Sequence, residues 1–389
     1  MSKVVSSIKS IIVSGYYGFG NCGDEAILMA MLQEFSKFIS KDKIIILSNE
    51  PEKTKSLYKV HSIYRLDIFR ILTRLRKADV FISGGGGLLQ DVSGKGFSVL
   101  YYLALIVIAR FFNTKTVVYG QGIGPIKKTI NKNLIRLVLK NVDLIIVRDE
   151  KSKIFLEKLS ILKKKIVVNA DSAFLIKKRE LSENIKKKYG LEVNSIGFPF
   201  PDNPLIGIVI RNCNAIKLDY DKKIMQFAEI ADHLIEKYNF DIVFIPFQIK
   251  KDILLIKDIV SKMKYSNAKI IEEELAPDEM LSLISKLTIL LGMRLHSIIF
   301  ATIVNVPFIA IDYDPKVKNY VYSLDLPDLL VKINQLTINN IDYKLKYINI
   351  HKKTICSKLK VKSKQFEQEA ITNVHLLQKF IKENVIERK

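Results

Sequence analysis

Three cationic side chains fall close together in the second half of the chain. Arg294 and His296 lie in Leu291-Gly-Met-Arg-Leu-His, and Lys316 closes Asp312-Tyr-Asp-Pro-Lys. A guanidinium presents a planar fork that matches carboxylate or phosphate, and an ammonium adds a point charge. His296 falls at an expected helix start. The positive helix end there disfavours imidazolium unless an anion is bound, which would couple its protonation to the ligand. Arg211 follows an expected strand in the same half. Together these residues describe an anion site.

The first half offers glycine-rich turns. Gly15-Tyr-Tyr-Gly-Phe-Gly-Asn-Cys-Gly-Asp-Glu25 places Gly18, Asn21 and Asp24 between a strand and a helix. Helix N–H groups there suit an anion. Ser83-Gly-Gly-Gly-Gly-Leu-Leu-Gln-Asp91 includes Gly85, Gly86 and Gln90, and four consecutive glycines let a ligand meet bare backbone. Tyr119-Gly-Gln-Gly-Ile-Gly-Pro125 contributes Gln121. Three such turns at successive strand ends suggest one shared cleft wall. Arg148, opening Arg-Asp-Glu150, would project toward it. Asp171, in Ala170-Asp-Ser172, is expected either to cap the next turn or to face substrate.

Other chemistries lack their residues. The spacing is not G-x-G-x-x-G and no Walker lysine follows. No His or Cys pair has metal-ligand spacing, and no G-x-S-x-G elbow is present. The expected cofactor list is therefore empty.

The elements that position these residues alternate. Ser10–Ser14, Lys43–Ser48, Asp79–Ser83, Lys115–Tyr119, Val142–Val147 and Lys165–Asn169 read as strands, with helices between them including Asp24–Ile39, Val99–Phe112 and Lys132–Lys140. The strands are nearly continuous apolar runs, the mark of a parallel sheet covered on both faces. Charged residues 177–188 and the proline-rich Gly197–Pro204 then mark a boundary. Beyond it Leu205–Ile210, Phe240–Pro246, Ala268–Ile271, Leu287–Leu291 and Val306–Asp312 read as strands. Helices are expected over Lys222–Tyr238, Lys251–Lys264, Asp278–Lys286 and His296–Ile303. The pattern predicts an α/β protein with two doubly wound, Rossmann-like domains facing a central cleft: residues 1–185, residues 203–335, and a basic helical segment over 340–389. The most apolar stretch, Val99–Phe112, has 14 residues and carries Arg110. That is short of the ~20 that span a bilayer.

The 389 residues carry a net charge of +22. Such a field attracts anionic partners. The lysines are spread along the whole chain with no nucleic-acid-binding signature, so the expected partner is not nucleic acid. An anionic membrane face is expected instead, met by Lys352, Lys353, Lys358, Lys360 and their neighbours. Cys22, Cys213 and Cys356 form neither a disulfide framework nor a zinc spacing. With no signal peptide at the start, this favours the cytoplasm, with attachment to the inner face of the membrane.

Taken in order, Gly15–Leu28, Ser83–Asp91, Tyr119–Pro125, Arg148–Glu150, Arg294–His296 and Ile311–Lys316 resemble the polysaccharide pyruvyl transferase family, in particular the bacterial branch acting on cell-wall polysaccharide. The resemblance implies a GT-B-like fold, phosphoenolpyruvate as donor and a sugar acceptor, with ManNAc of a lipid-linked precursor as the expected sugar. It also implies a part in secondary cell-wall polysaccharide and S-layer anchoring. Matched to the motifs, Arg148, His296 and Lys316 are the catalytic candidates, and Arg294 and Arg211 are donor-binding. Gly18, Asn21, Asp24, Gly85, Gly86, Gln90, Gln121 and Asp171 line the acceptor side. Cys22, Ser172 and Asn212 depart from the family pattern. The alternative is a nucleotide-sugar-dependent glycosyltransferase of the same fold, in which the Glu272-Glu273-Glu274 run would supply a carboxylate for the ribose.

Overall fold

The computed structural model describes residues 8–91, 97–161, 166–191, 204–212 and 220–387. Its contacts divide the chain into two units: Met1–Ile176 with Phe366–Lys389, and Lys177–Gln365.

Unit 1 is built on seven parallel strands: β1 (Ile11–Ser14), β2 (Ile44–Ser48), β3 (His61–Tyr64), β4 (Val80–Ser83), β5 (Lys115–Gln121), β6 (Leu144–Val147) and β7 (Ile166–Val168). Their order is β3-β2-β1-β4-β5-β6-β7. Every residue of β1, β2 and β4 is buried, as expected of strands covered on both faces. The covering helices are α1 (Cys22–Phe35), α2 (Pro51–Tyr58), α3 (Ile68–Leu75), α4 (Phe97–Phe111), α5 (Thr129–Leu139) and α6 (Glu150–Lys158). Tyr102, Leu103, Ile106 and Ala109 of α4 sit in the core with Phe81, Val118 and Ile145 of the sheet.

Unit 2 opens with α7 (Glu183–Tyr189) and carries six parallel strands: β8 (Leu205–Val209), β9 (Asp241–Phe244), β10 (Lys269–Ile270), β11 (Ile289–Gly292), β12 (Phe308–Asp312) and β13 (Leu330–Lys332). Their order is β10-β9-β8-β11-β12-β13. Its other helices are α8 (Tyr220–Tyr238), α9 (Ile249–Lys262), α10 (Pro277–Ile284), α11 (Leu295–Ile303) and α12 (Pro315–Ser323). A 44-residue helix, α13 (Ile338–Ile381), follows and runs on into a π-helical turn at Lys382–Ile386. It begins in unit 2, and its last part belongs to unit 1. Among the described residues no helix is long and apolar enough to cross a membrane.

The expected strands and helices are present, with ends moved by a few residues; Lys165 lies outside the described residues. Two strands go beyond the expectation. β3 is a polar edge strand, His-Ser-Ile-Tyr, with only Ile63 buried; β13 is a three-residue edge. These two edge strands lack the continuous apolar run that marks a covered strand. The division of the chain also differs from residues 1–185 and 203–335. The segment after Ile176 is tied to unit 2, where Arg179 N–H donates to Asp278 O at 3.2 Å and Ser282 Oγ–H donates to Arg179 O. Residues 197–203, expected at the boundary, lie outside the described residues. The segment 340–389 is not one body either. Lys358 and Lys362 contact Asp325 of unit 2, whereas Phe366 packs on Phe174, and Asn373 Nδ2 donates to Ala170 O at 3.0 Å in unit 1.

Candidate active site

In parallel sheets, ligands bind beyond the carboxyl ends of the strands, at the point where strand order reverses. In unit 1 that point lies between β1 and β4, and in unit 2 between β8 and β11. The expected site residues of unit 2 follow these strands or their neighbour β12; those of unit 1 end or follow β1, β4 and β5 and, farther along the sheet, β6 and β7.

In unit 1 the loop after β1 ends at Asn21, which caps α1 by accepting from Gly23 N at 3.3 Å and donates Nδ2–H to Asp24. Gly18 has φ +74°, and a Cβ there would come within 2.6 Å of the backbone nitrogen of Glu50. Its N–H donates to Glu25 Oε1 at 2.7 Å. Gly86, φ +89°, lies against Asp24: an added Cβ would be 2.6 Å from Oδ1. Gly85 packs on Ile27 of α1. Gln121 ends β5 fully buried, its Nε2 donating to Ser83 Oγ at 2.7 Å and to Gly84 O at 2.9 Å. The backbone links these loops: Gly122 N–H donates to Gly86 O at 2.9 Å and Arg148 N–H to Gln121 O at 3.0 Å.

Arg148 follows β6. Its buried guanidinium donates to Asp171 Oδ2 at 2.5 Å, with Asp149 farther off at 4.0 Å. Gly122 makes room for it, since a Cβ there would stand 2.6 Å from Nε. Burial opposes the charge on Arg148, but Asp171 and Asp149 outweigh burial and raise its pKa. Asp171 also accepts from Ala173 N at 3.0 Å, so it caps the turn after β7 and pairs with Arg148 at once. Gln90 is half-buried beside Asp91, whose carboxylate accepts from Lys127 N, Lys128 N and Asn131 Nδ2. Gln90 therefore stands in a segment anchored to the loop after β5.

In unit 2 the site residues follow β8, β11 and β12, three neighbours in the sheet. Arg294 is the N-cap residue of α11 and is buried; its Nη2 donates to Asp252 Oδ1 at 2.6 Å, and Asp252 also accepts from Gln248 N at 2.9 Å. Arg294 Nε is buried with no acceptor among the described residues. Arg211 donates to Tyr313 Oη at 3.1 Å, and its carbonyl accepts from buried Lys223 Nζ at 2.9 Å. Burial raises the Tyr313 phenol, while Arg211 and Arg294 pull the other way. His296 and Lys316 are both half-buried, each the second residue of its helix. Asp314 caps α12, accepting from Lys316 N at 2.9 Å. His296 and Lys316 thus lie in first helical turns, whose positive ends favour an anion, at strand ends that also carry Arg211 and Arg294.

Some residues were not anticipated. Glu25 reads as an ordinary acidic first-turn residue, yet burial pushes its carboxyl up to about 7 against the pull of the Gly18 N–H. Asp252 reads as a charge at the start of α9, yet it holds Arg294. Tyr313 lies inside an expected motif but its type suggested nothing. The Glu272-Glu273-Glu274 run is engaged locally: Glu272 pairs with Lys257 at 2.8 Å, and Glu273 binds Lys188 at 2.6 Å and the Tyr189 hydroxyl. Lys352, expected on a membrane-facing surface, is buried on the inner stripe of α13. Among the described residues no group of three or more His, Cys, Asp or Glu side chains could hold a metal ion.

The two parallel sheets with alternating helices define an α/β protein of GT-B-like fold. Similar solved structures include S. aureus MnaA, determined with UDP (TM-score 0.65, 13% identity, 98% of both chains). Anabaena HepE in complex with UDP-glucose matches at TM-score 0.62 and 9% identity over 96% of this chain and 99% of that one. The UDP-GlcNAc 2-epimerase of Neisseria meningitidis matches at TM-score 0.61 and 13% identity over 95% and 100%. Likeness at such identities is one of fold, and fold alone does not assign chemistry. A family model for polysaccharide pyruvyl transferase matches residues 21–315, and the chain belongs to that family. It is also 23% identical to the amylovoran biosynthesis protein AmsJ of Erwinia amylovora, over 68% of this chain and 63% of that protein, under two thirds of the relative's length.

Proposed function

We propose that this protein transfers the pyruvyl group of phosphoenolpyruvate to a saccharide, closing a pyruvate ketal and releasing phosphate. The observation that carries the reading is the set Arg211, Arg294, His296 and Lys316 at adjacent strand ends of unit 2, in a chain of the pyruvyl transferase family. The donor carries a carboxylate and a phosphate, which this set could neutralise.

A general acid protonates the methylene carbon, and a sugar hydroxyl bonds to the second carbon. The C–O bond to phosphate then breaks, and a second hydroxyl of the same sugar takes its place. One donor and one diol become one ketal and one phosphate, and no metal cofactor is required. His296 is the first choice for the acid or the phosphate contact, with Arg148 supporting the reacting groups. On the acceptor side, Asp171 is committed to Arg148 and a cap, so Glu25, with a carboxyl near neutrality, suits proton exchange with a hydroxyl better. The favoured acceptor is ManNAc of a lipid-linked cell-wall precursor serving S-layer anchoring, met at the inner membrane face.

Incubation with phosphoenolpyruvate and such an acceptor should release phosphate and give an acid-labile ketal. Lys316→Ala and His296→Ala should each lower turnover by about 10²-fold or more with the circular-dichroism spectrum unchanged. The second reading, a nucleotide-sugar glycosyltransferase, draws on the neighbours solved with UDP or UDP-glucose. The pairing of Glu272 and Glu273 with lysines weakens it. Thermal stabilisation by UDP-sugars and not by phosphoenolpyruvate, with no turnover on any sugar of a panel, would replace the first reading by the second.

A further inference from the structure

Arg65 directly follows β3, at the carboxyl end of the unit 1 sheet. Its backbone is fixed on both sides: the N–H donates to Ser48 O at 2.9 Å, and the carbonyl accepts from Tyr101 Oη at 2.7 Å. Its guanidinium carbon lies 4.3 Å from the ring centre of Tyr101, 5.1 Å from Phe19 and 5.9 Å from Tyr102. Tyr16 stacks on Phe19, centroids 4.0 Å apart and planes 6° from parallel. Both rings are half-buried and belong to the loop after β1. Aromatic faces hold a cation without neutralising it. No ion pair to Arg65 forms among the described residues, and its Nε is buried without an acceptor. Tyr102 is 3% exposed, and its hydroxyl likewise has no partner among the described residues.

Buried donors without acceptors are costly and rare, so two in one cluster mark a place where a ligand completes the bonding. We propose that Arg65, Tyr102 and the Tyr16–Phe19 stack form a subsite for a saccharide that carries an oxyanion, either a phosphate or a carboxylate. Arg65 takes the oxyanion, the Tyr102 hydroxyl bonds a ring hydroxyl, and the aromatic faces cover a C–H face of the sugar. Tyr16 and Phe19 share the loop between β1 and α1 with Gly18 and Asn21, which puts the subsite beside the candidate residues at the end of β1. Its role as an acceptor subsite rests on the pyruvyl-transfer reading; its capacity to bind does not.

The test is calorimetric titration of the intact protein with N-acetylmannosamine 1-phosphate, glucuronic acid, the neutral methyl glycoside of N-acetylmannosamine, and inorganic phosphate. At least one acidic sugar should bind tenfold or more tightly than the neutral glycoside and than phosphate alone; which one does so identifies the oxyanion. Arg65→Met should erase the preference, Arg65→Lys should keep part of it, and Tyr102→Phe should weaken acidic and neutral sugars alike, by about threefold to tenfold. If Arg65→Met fails to fold, the lysine and phenylalanine variants carry the test. Equal binding of acidic and neutral sugars overturns the proposal, as does inorganic phosphate binding as tightly as the sugars. So does displacement of the acidic sugar by phosphoenolpyruvate, which would make Arg65 a donor residue. Charge-dependent binding in a protein that never releases phosphate from phosphoenolpyruvate would sink the transfer reading and leave the subsite. Turnover without such binding would do the reverse.

Discussion

Replacing Arg148 by methionine keeps an unbranched apolar stem and removes the charged guanidinium. The consequence falls on Asp171, which is 4% exposed and would lose its guanidinium partner while keeping the Ala173 N–H at 3.0 Å. Breaking a buried pair from one side costs about 3–5 kcal/mol, because a charge stays behind unsolvated. Asp171→Asn is milder. Its amide oxygen still accepts from Ala173, and Arg148 keeps Asp149 at 4.0 Å; the loss should be about 1.5–3 kcal/mol, that of a hydrogen bond to a charged group. The double variant Arg148→Met/Asp171→Asn strands no charge and should be more stable than Arg148→Met alone. That ordering requires a coupling larger than the Asp171→Asn loss, about 3 kcal/mol in the cycle. Hydrogen exchange read by mass spectrometry on peptides from 144–161 and 166–176 reports opening of this part of unit 1. Additive losses, with the double variant the least stable of the three, would refute the claim that Asp171 depends on the Arg148 charge.

Three further outcomes are expected. Glu25 binds a proton in the folded protein up to about pH 7 but in the unfolded chain only to about 4.5, so its contribution to stability should fall as pH rises from 4.5 to 7 and level off above. Glu25→Gln should flatten that slope, with a gain of about 3 kcal/mol at pH 8 in urea titrations, and no change in slope would be the failing result. Gly86→Ala combines positive φ with a clash on Asp24, whereas Gly124→Ala has a similar φ of +88° and its nearest outside atom at 3.6 Å. Both should lose about 1–2 kcal/mol from backbone strain, but only Gly86→Ala should also depress turnover, and equal turnover would clear Asp24 of any part. Asn373→Leu removes the bonds to Ala170 O and from Asn169 Nδ2, and should cost about 1–3 kcal/mol and speed proteolysis after residue 366.

Much of this architecture is legible in the residues themselves. Ile-Ile-Val-Ser, Ile-Ile-Ile-Leu-Ser and Val-Phe-Ile-Ser announce covered parallel strands because both faces need apolar side chains. Glycines 18 and 86 announce close approaches because only glycine tolerates them. The loops at the ends of those strands follow from the same pattern, and so do Arg148 and Arg294. What stayed hidden depends on pairings distant in sequence. Asp252 lies 42 residues from the arginine it binds, and Asp171 gives no sign of which guanidinium it meets. The raised carboxyl of half-buried Glu25 arises chiefly from packing, which a first-turn glutamate does not announce. Arg65 was invisible because β3, the strand that delivers it, is too short and polar to read as one. Lys352 looked like part of a basic surface because a helix of mixed composition does not say which of its lysines turns inward.

The division of the chain bears on the order in which it can fold. Unit 2 is continuous from Lys177 to Gln365, whereas unit 1 is interrupted and finished by Phe366–Lys389. On the ribosome, everything unit 2 needs is synthesised before Asn373 exists. The half that begins first is therefore completed last: until the end of α13 arrives, the Ala170 carbonyl and the Asn169 amide lack the partner that Asn373 supplies. A nascent chain stalled short of residue 366 would hold a finished second unit and an open first one, the reverse of the usual vectorial order.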